Sequence, residues 1–464
     1  MSSQDAWGNQ RAAIFYYAAS LLLLFLIPWA KEHWHETNLP PLLPEVRTVI
    51  NLLYLNLAAA FFILVRSHAG RPSLRAPWWV MFAGIAAVLC VIHPVFSGDL
   101  MEYLIRGRIL GVYHQSPYQH VPAEFPNDIL YAHSTWKNNP DSYGPLSVLL
   151  QTVPAVLWGN SLKGMVWLEK LLFAGSMAGG IYFFARMVRE FGSPGTDGGT
   201  LVLFALNPLL WVSTVIDGHN DAVMLSLTIA AVYFLLKEKF STAFLLWTAA
   251  FLVKYTVVLV LPFMLVTALR SVKKRIGSFP WKFAAEEVLV NAALIFVAFW
   301  PLWGGTKTFS ALTQASGWFY TNTIPYAVRQ GLSLAGFSPD PAWLKYGFLV
   351  GFFVLYAYWL WRHALEKEQS AVGFFRRLGL VYLGFYLTIT IPFGFHYLLW
   401  ALPWLVLSRW PLERFLITLY AFTGLFSYFK RMNYLLLIAA AVYLTALWAH
   451  RSGIFPRSRR AAAS

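Results

Sequence analysis

Between positions 97 and 108 the chain reads Ser-Gly-Asp-Leu-Met-Glu-Tyr-Leu-Ile-Arg-Gly-Arg. If this segment is helical, Asp99, Glu102, Tyr103 and Arg106 lie on one face, with Met101, Leu104 and Ile105 on the other. An interfacial helix of this kind would point a carboxylate and a guanidinium together into a cavity. Those groups suit transfer from a phosphate to a hydroxyl. The hydroxyl needs a base to take its proton, and the departing phosphate needs cationic donors. The same residues also have an ordinary use. Asp99 with Glu102 forms a helix-capping box, with Asp in place of Ser or Thr. Glu102 and Arg106 form an i,i+4 pair worth about 0.2–0.5 kcal/mol. Spacing alone leaves both uses open.

Lys254 sits between the apolar stretches Phe251-Leu252-Val253 and Tyr255-Thr256-Val257. A lysine inside a bilayer costs about 2.5–3.5 kcal/mol on insertion scales, which makes it a functional candidate; the alternative is snorkelling to the outer interface. His219, Asn220 and Asp221 crowd three polar side chains at a helix start, where plain capping is an equal reading. His396, beside an apolar run, reads first as a structural histidine. Tyr143-Gly144-Pro145 marks a turn. No Asp-x-Asp cluster accompanies these residues, so the spacing specifies no metal and no cofactor is expected.

These side chains need elements to hold them, and the composition says which. Of 464 residues, 58% are hydrophobic, 17% aromatic and only 12% charged, with a mean hydropathy of +0.54. Soluble chains carry about 25% charge, so a water-soluble fold is excluded in favour of an all-α polytopic membrane bundle. The net charge of +15 does not indicate nucleic acid, because Lys and Arg fall in short clusters between apolar runs, as in loops held on the cytoplasmic side of a membrane. Cys90 is the single cysteine, which rules out an intrachain disulfide and any CxxC metal spacing. The first apolar run, 12–30, is too long for a signal-peptide core and reads as a retained helix.

About fourteen runs approach the roughly 20 apolar residues a crossing helix needs: 12–30, 48–66, 77–95, 165–186, 199–216, 220–236, 240–253, 256–270, 283–301, 344–361, 377–393, 396–408, 412–428 and 433–449. The chain reads as one polytopic domain over 1–464. Basic clusters such as Arg270, Lys273, Lys274, Arg275 and Lys282 all fall inside under two conditions. The stretch 145–159 must not cross, and residues 240–270 must be two short helices meeting at an outer apex near Lys254. Both termini are then cytoplasmic. Two long external loops result, 96–144 and 302–343, and the polar segments 217–221 and 392–396 join them on the outer face. Broken helices require their ends to be buried in protein or to line a wet cavity, so a cavity is expected there.

The motifs have an order as well as a chemistry. Asp99, Tyr103, Gly107-Arg108, Gly111 and Ser116-Pro117-Tyr118 resemble the D-x-x-x-Y-x-x-x-G-R…G-x-x-P-Y signature of C-type glycosyltransferases. The closer resemblance is to bacterial polyprenol-phosphate-mannose-dependent alpha-mannosyltransferases. Tyr143-Gly144-Pro145, His219-Asn220-Asp221, Lys254 and His396-Tyr397-Leu398-Leu399-Trp400 stand where that group carries its Y-G-P, H-N-D, helix-apex Lys and late Y-L-L-W elements. The likeness covers about residues 77–410 and rests on the order of the motifs.

The resemblance implies an inverting hexose transfer, with mannose as the sugar, from a polyprenyl-phosphate carrier to a glycan or glycolipid hydroxyl on the outer face of a bacterial plasma membrane. Membrane lipids are then partners and nucleic acid is not. Asp99 would be the general base. Arg106, Arg108 and Lys254 are phosphate candidates on physical grounds, with Glu102, Tyr103, Tyr118, Tyr143, His219, Asn220, Asp221 and His396 lining the substrate site. The chain departs from the pattern in two helices preceding the motif-bearing loop and in Ser rather than Asn before Pro117. A secondary transporter or lipid flippase is the alternative, but transporters show paired broken helices in two related halves, and no second Lys254 appears. In a Cys90→Ser background, a cysteine at Ser142 is expected to react with an impermeant thiol reagent from outside the cell and one at Ser278 to be spared; the reverse pattern overturns the orientation.

Overall fold

The computed structural model describes residues 3–33, 43–68, 76–95, 97–192, 198–315, 323–338, 340–366, 370–389, 394–408, 413–414 and 417–418. The expected spans 412–428 and 433–449 lie almost wholly outside these residues, as do Pro392 and Phe393 of the polar segment 392–396. The described residues are overwhelmingly helical and contain no strand.

Seven helices are long and apolar enough to cross a membrane by length and composition. They are α1 (Asn9–His33), α2 (Pro44–His68), α6 (Leu162–Phe191), α7 (Gly198–Ile216, discontinuous), α10 (Tyr255–Ile276), α11 (Trp281–Leu302) and α12 (Ala342–Leu365). Between and after them come shorter helices: α3 (Ala76–Leu89), α4 (Asp99–Gly111), α5 (Pro145–Trp158), α8 (Asp221–Leu236), α9 (Phe240–Val253), α13 (Ala371–Thr388) and α14 (Leu398–Val406). On α11 and α12 the apolar side chains face outward; Leu289, Val297, Trp300, Val350 and Val354 are all exposed. Continuous apolar faces of this extent are not left to water in a monomer, and lipid is the solvent that suits them. An all-α membrane bundle follows.

The centre is built differently. Helix α8 is apolar all round and buried almost all round, which is the signature of a helix enclosed by other helices. It packs against α6 and α9, while α4 packs against α5. At 1.5 Å per residue the 14-residue α5 is about 21 Å long, too short for a hydrocarbon core of about 30 Å.

The expected break near Lys254 is present. Helix α9 ends at Val253, Lys254 is extended at φ −150° and ψ 123°, and a 3-10 turn over Tyr255–Val260 leads into α10. The first external loop differs from expectation in its exposure. Helix α4 is not an interfacial helix with one wet face, because Leu100 and every residue from Glu102 to Ile109 are buried. The loop that follows, through its 3-10 turns at Pro122–Glu124 and Tyr131–His133, supplies polar partners for α4, so its charged residues are enclosed by protein.

Helices α4 and α5 meet backbone to backbone. A Cβ on Gly107 would lie 2.0 Å from the Gln151 carbonyl oxygen, and a backbone cannot move aside as a flexible side chain can. Gly107→Ala is therefore expected to push the two helices apart, costing about 1–3 kcal/mol and lowering the thermal unfolding temperature in detergent. Gly175→Ala is the control, since open space surrounds that position; equal Tm values for the two variants would show that the close approach is unimportant.

Candidate functional site

The segment entering α4 is fixed by two buried charged side chains. Lys170 of α6 donates to the Ile92 carbonyl, and the Val95 N–H donates to Asp217 Oδ1 at 2.9 Å. Asp99 then becomes the first residue of α4, behind Gly98, which provides no side-chain cap. The capping box expected as the ordinary use of Asp99 and Glu102 is not formed. The Asp99 N–H donates to Ser97 Oγ (3.1 Å), and the Asp99 carboxylate remains 30% exposed.

The run Asp217-Gly218-His219-Asn220-Asp221 gives each residue a separate task. A π-helical turn over Val212–Ile216 precedes it, a distortion that often marks functional positions. Gly218 takes φ +68° against the Leu100 side chain, a conformation that favours glycine. His219 Nδ1 lies 2.8 Å from the Ser213 carbonyl oxygen. A carbonyl only accepts, so Nδ1 carries a proton and donates it. The other ring nitrogen, Nε2, is buried without a hydrogen bond and faces Asp99 Oδ2 at 3.5 Å. Asn220 donates to Ser147 Oγ (3.0 Å) and accepts from the Tyr103 hydroxyl (3.4 Å). Capping does not explain Asn220, whose side chain accepts no N–H of α8.

Asp221 is the hub. Its carboxylate accepts from Lys254 Nζ at 2.9 and 2.8 Å and from Trp400 Nε1 at 2.5 Å. His396 Nε2 is 3.5 Å from its Oδ2. The ammonium of Lys254 also sits 4.8–5.4 Å from the ring centres of Tyr397, Trp400 and Tyr143, within cation–π range. Tyr143 closes the opposite side: its hydroxyl is 3.3 Å from that of Tyr103, and its carbonyl accepts from Tyr118 (2.8 Å) and Tyr255 (3.1 Å). The neighbouring Gly144 N–H donates to the Val253 carbonyl, tying the Tyr143-Gly144-Pro145 turn to the break at Lys254.

Thus Asp99, Tyr103, Tyr118, Tyr143, His219, Asn220, Asp221, Lys254 and His396 come together. Glu102, Arg106 and Arg108 do not join them through any described contact. Glu102 turns to the loop, accepting from Arg106 (2.6 Å), Ser134, Thr135 and Trp136. Burial raises its carboxyl, but the Arg106 charge and these N–H donors outweigh that and hold it below the usual carboxylate range. Arg106 also reaches the Asn139 carbonyl, and Arg108 pairs with Asp128 (2.7 Å) and donates to the Gly159 carbonyl. Both arginines expected beside a phosphate are closed in buried ion pairs.

His396 departs from its sequence reading too. Its ring stacks on His219 at 3.7 Å, and its Nδ1 is buried without a partner, so it is not a satisfied structural histidine. Asp99, His219 and His396 each offer a ligand atom, all within 4.8 Å of one another. No spacing rule could have grouped them, since three distant segments supply them. Trp400 was more accessible: four residues after His396, it shares a helical face with it.

A family model described as alpha-(1->6)-mannopyranosyltransferase, N-terminal domain, matches residues 20–270, more than half of the chain. The chain belongs to this mannopyranosyltransferase family. The chain is 30% identical over 218 residues to alpha-(1->6)-mannopyranosyltransferase A of Mycobacterium tuberculosis, covering 46% of this chain and 40% of that one. A protein of the same name from Corynebacterium glutamicum is 27% identical over 172 residues, 37% of this chain and 34% of its own. The matches therefore span less than half the length of either relative. The region matching the family holds Asp99, the His219-Asn220-Asp221 run and Lys254, whereas His396 and Trp400 lie beyond it.

Glu102 is the buried anchor of the loop, and its replacement is expected to damage the fold. Breaking a buried ion pair from one side costs about 3–5 kcal/mol. Glu102→Gln should lower the unfolding temperature markedly at pH 7. Because the folded carboxyl is depressed, the stabilisation is present at neutral pH and is lost as pH falls through its folded pKa, so the gap to wild type should narrow in acid. A Tm gap that is absent at pH 7, or that widens in acid, contradicts this account.

Proposed function

We propose that this chain is a membrane alpha-mannosyltransferase that moves mannose from a polyprenyl-phosphate carrier to a hydroxyl of a glycan or glycolipid on the outer membrane face, with inversion at the sugar carbon. The observation that carries the reading is the state of Asp99. It is the open carboxylate at the edge of a buried polar cluster, neither capping its helix nor paired with Lys or Arg. The relatives' designation as alpha-(1->6)-mannopyranosyltransferases supports mannose and an alpha-(1→6) bond.

In this reading the acceptor hydroxyl approaches Asp99, whose carboxylate takes the proton as the oxygen bonds to the sugar carbon. The bond from that carbon to the phosphate oxygen breaks, and polyprenyl phosphate leaves with the electron pair. An alpha product by inversion requires a beta-linked donor. Lys254 is the cation for the phosphate: although paired with Asp221, its ammonium sits within the cluster, over the rings of Tyr143, Tyr397 and Trp400. Tyr143 and Tyr103 offer hydroxyls to the sugar. Arg106 and Arg108 serve the site by fixing α4 and its loop rather than by meeting the phosphate.

Asp99→Asn keeps size and polarity and removes the basic oxygen. Nothing in the fold leans on that carboxylate, so Tm should match wild type while transfer of radiolabelled mannose from polyprenyl phosphate falls by about 100-fold or more. Near-normal transfer by a well-folded Asp99→Asn protein would rule out the base and move the search to Asp221 or His219.

A further inference from the structure

We infer that Asp99, His219 and His396 form a binding site for a divalent transition-metal ion at the edge of the polar cluster. The first ground is geometric. Each histidine has an acceptor near one ring nitrogen and presents the other buried and unpartnered. His219 Nδ1–H is fixed on the Ser213 carbonyl (2.8 Å), leaving Nε2 buried and unpartnered. His396 has Nε2 toward Asp221 (3.5 Å) and Nδ1 buried and unpartnered. A carbonyl or carboxylate behind the ligand ring is the usual outer support of a metal-bound histidine.

The second ground is what faces His219 Nε2. Asp99 Oδ2 stands 3.5 Å from it with no hydrogen bond between the two atoms, a gap that a bound cation would bridge. Ligand atoms on a tetrahedral ion with bonds of 2.0–2.1 Å are about 3.3 Å apart, close to this separation. The three ligand atoms span up to 4.8 Å and the imidazoles are stacked with 26° between their planes, so the His396 ring must swing inward to complete the set. Two nitrogens and one carboxylate suit Zn²⁺, Co²⁺, Mn²⁺ or Fe²⁺, with positions left open toward the exposed side of Asp99.

A third ground rests on the proposed phosphate donor. Asp99 and Asp221 carry two formal negative charges against one positive charge on Lys254, and Arg106 and Arg108 are matched by Glu102 and Asp128. An anionic phosphate would meet a net negative group. A divalent ion reverses that sign and offers open positions to a phosphate oxygen.

The test uses the full chain in detergent, stripped with a chelator and titrated with Co²⁺ alone. One equivalent should bind, with visible ligand-field bands of a low-symmetry N/O site, and Zn²⁺ should displace it. His219→Gln and His396→Gln should each weaken binding by at least 10-fold, while His120→Gln, which removes the exposed His120–Glu124 pair, should leave it unchanged. X-ray absorption of the Zn²⁺-loaded wild type should show two imidazoles, which keeps the question decidable if a variant fails to fold. Absence of stoichiometric binding, or binding abolished by His120→Gln and kept by His219→Gln, overturns the site. Mannosyl transfer at full rate in metal-free protein that does not take up Co²⁺ also overturns it and leaves the proposed activity standing. Co²⁺ bound as described in a protein that uses no mannosyl lipid upholds the site and rejects the activity.

Discussion

A lysine enclosed in a membrane bundle has to be paired, and the pair formed by Lys254 and Asp221 organises what surrounds it. Both side chains are buried, with 9% and 0% exposure. Breaking such a pair from one side costs about 3–5 kcal/mol, so the two positions lock together the break between α9 and α10 and the start of α8. The break itself leaves backbone groups without helical partners. The Tyr143-Gly144-Pro145 turn meets that need through Gly144, which donates to the Val253 carbonyl. Trp400 brings α14 to the same carboxylate, so one ion pair ties four segments distant in the chain.

Several buried carboxylates of the bundle contrast with Asp99. Glu102, Asp128 and Asp221 are buried and saturated by arginine, lysine or N–H donors. Asp99 is partly exposed and left open, held in place by the segment before it and by the helix it begins. Buried carboxylates need such partners because an uncompensated charge in a low dielectric is costly. Asp99 needs none because water reaches it. The contrast matters for chemistry: a carboxylate saturated by donors is a poor base, whereas one at the cluster's edge is free to meet a hydroxyl.

Much of this arrangement was legible in the sequence, and the limits have a physical cause. The basic clusters announced the helix break near Lys254, because they all fall inside only if residues 240–270 form two short helices. The segment 217–221 announced a polar helix start, and the order of the motifs tied it to Asp99. Local spacing misled at Arg106 and Arg108. It correctly gave the Glu102–Arg106 pair, but it could not show that Asp128, Ser134 and Thr135 would close over those charges, because a loop with no hydrophobic period carries no register. The His219–His396 stack was invisible for a related reason: it joins segments from opposite halves of the chain, and an isolated histidine next to an apolar run has no partner to point to.

The apolar periodicity also hid which helices meet lipid. Helices α8, α11 and α12 are similarly hydrophobic, yet α8 is buried around its circumference while α11 and α12 are almost wholly exposed. Hydropathy cannot separate them, because lipid and protein interior are nearly equivalent solvents for an apolar side chain. Length separates them better. Helices α11 and α12, of 22 and 24 residues, face outward, whereas α5, α8 and α9 are 14 to 16 residues and pack together around the polar cluster; the long α7 is the exception and is almost wholly buried. Helices of about 21–24 Å leave part of a hydrocarbon core of about 30 Å unfilled at one end. The short helices border the buried cluster that holds Asp221 and Lys254, and in the proposed function that cluster takes the phosphate of a lipid carrier while its chain stays in the bilayer.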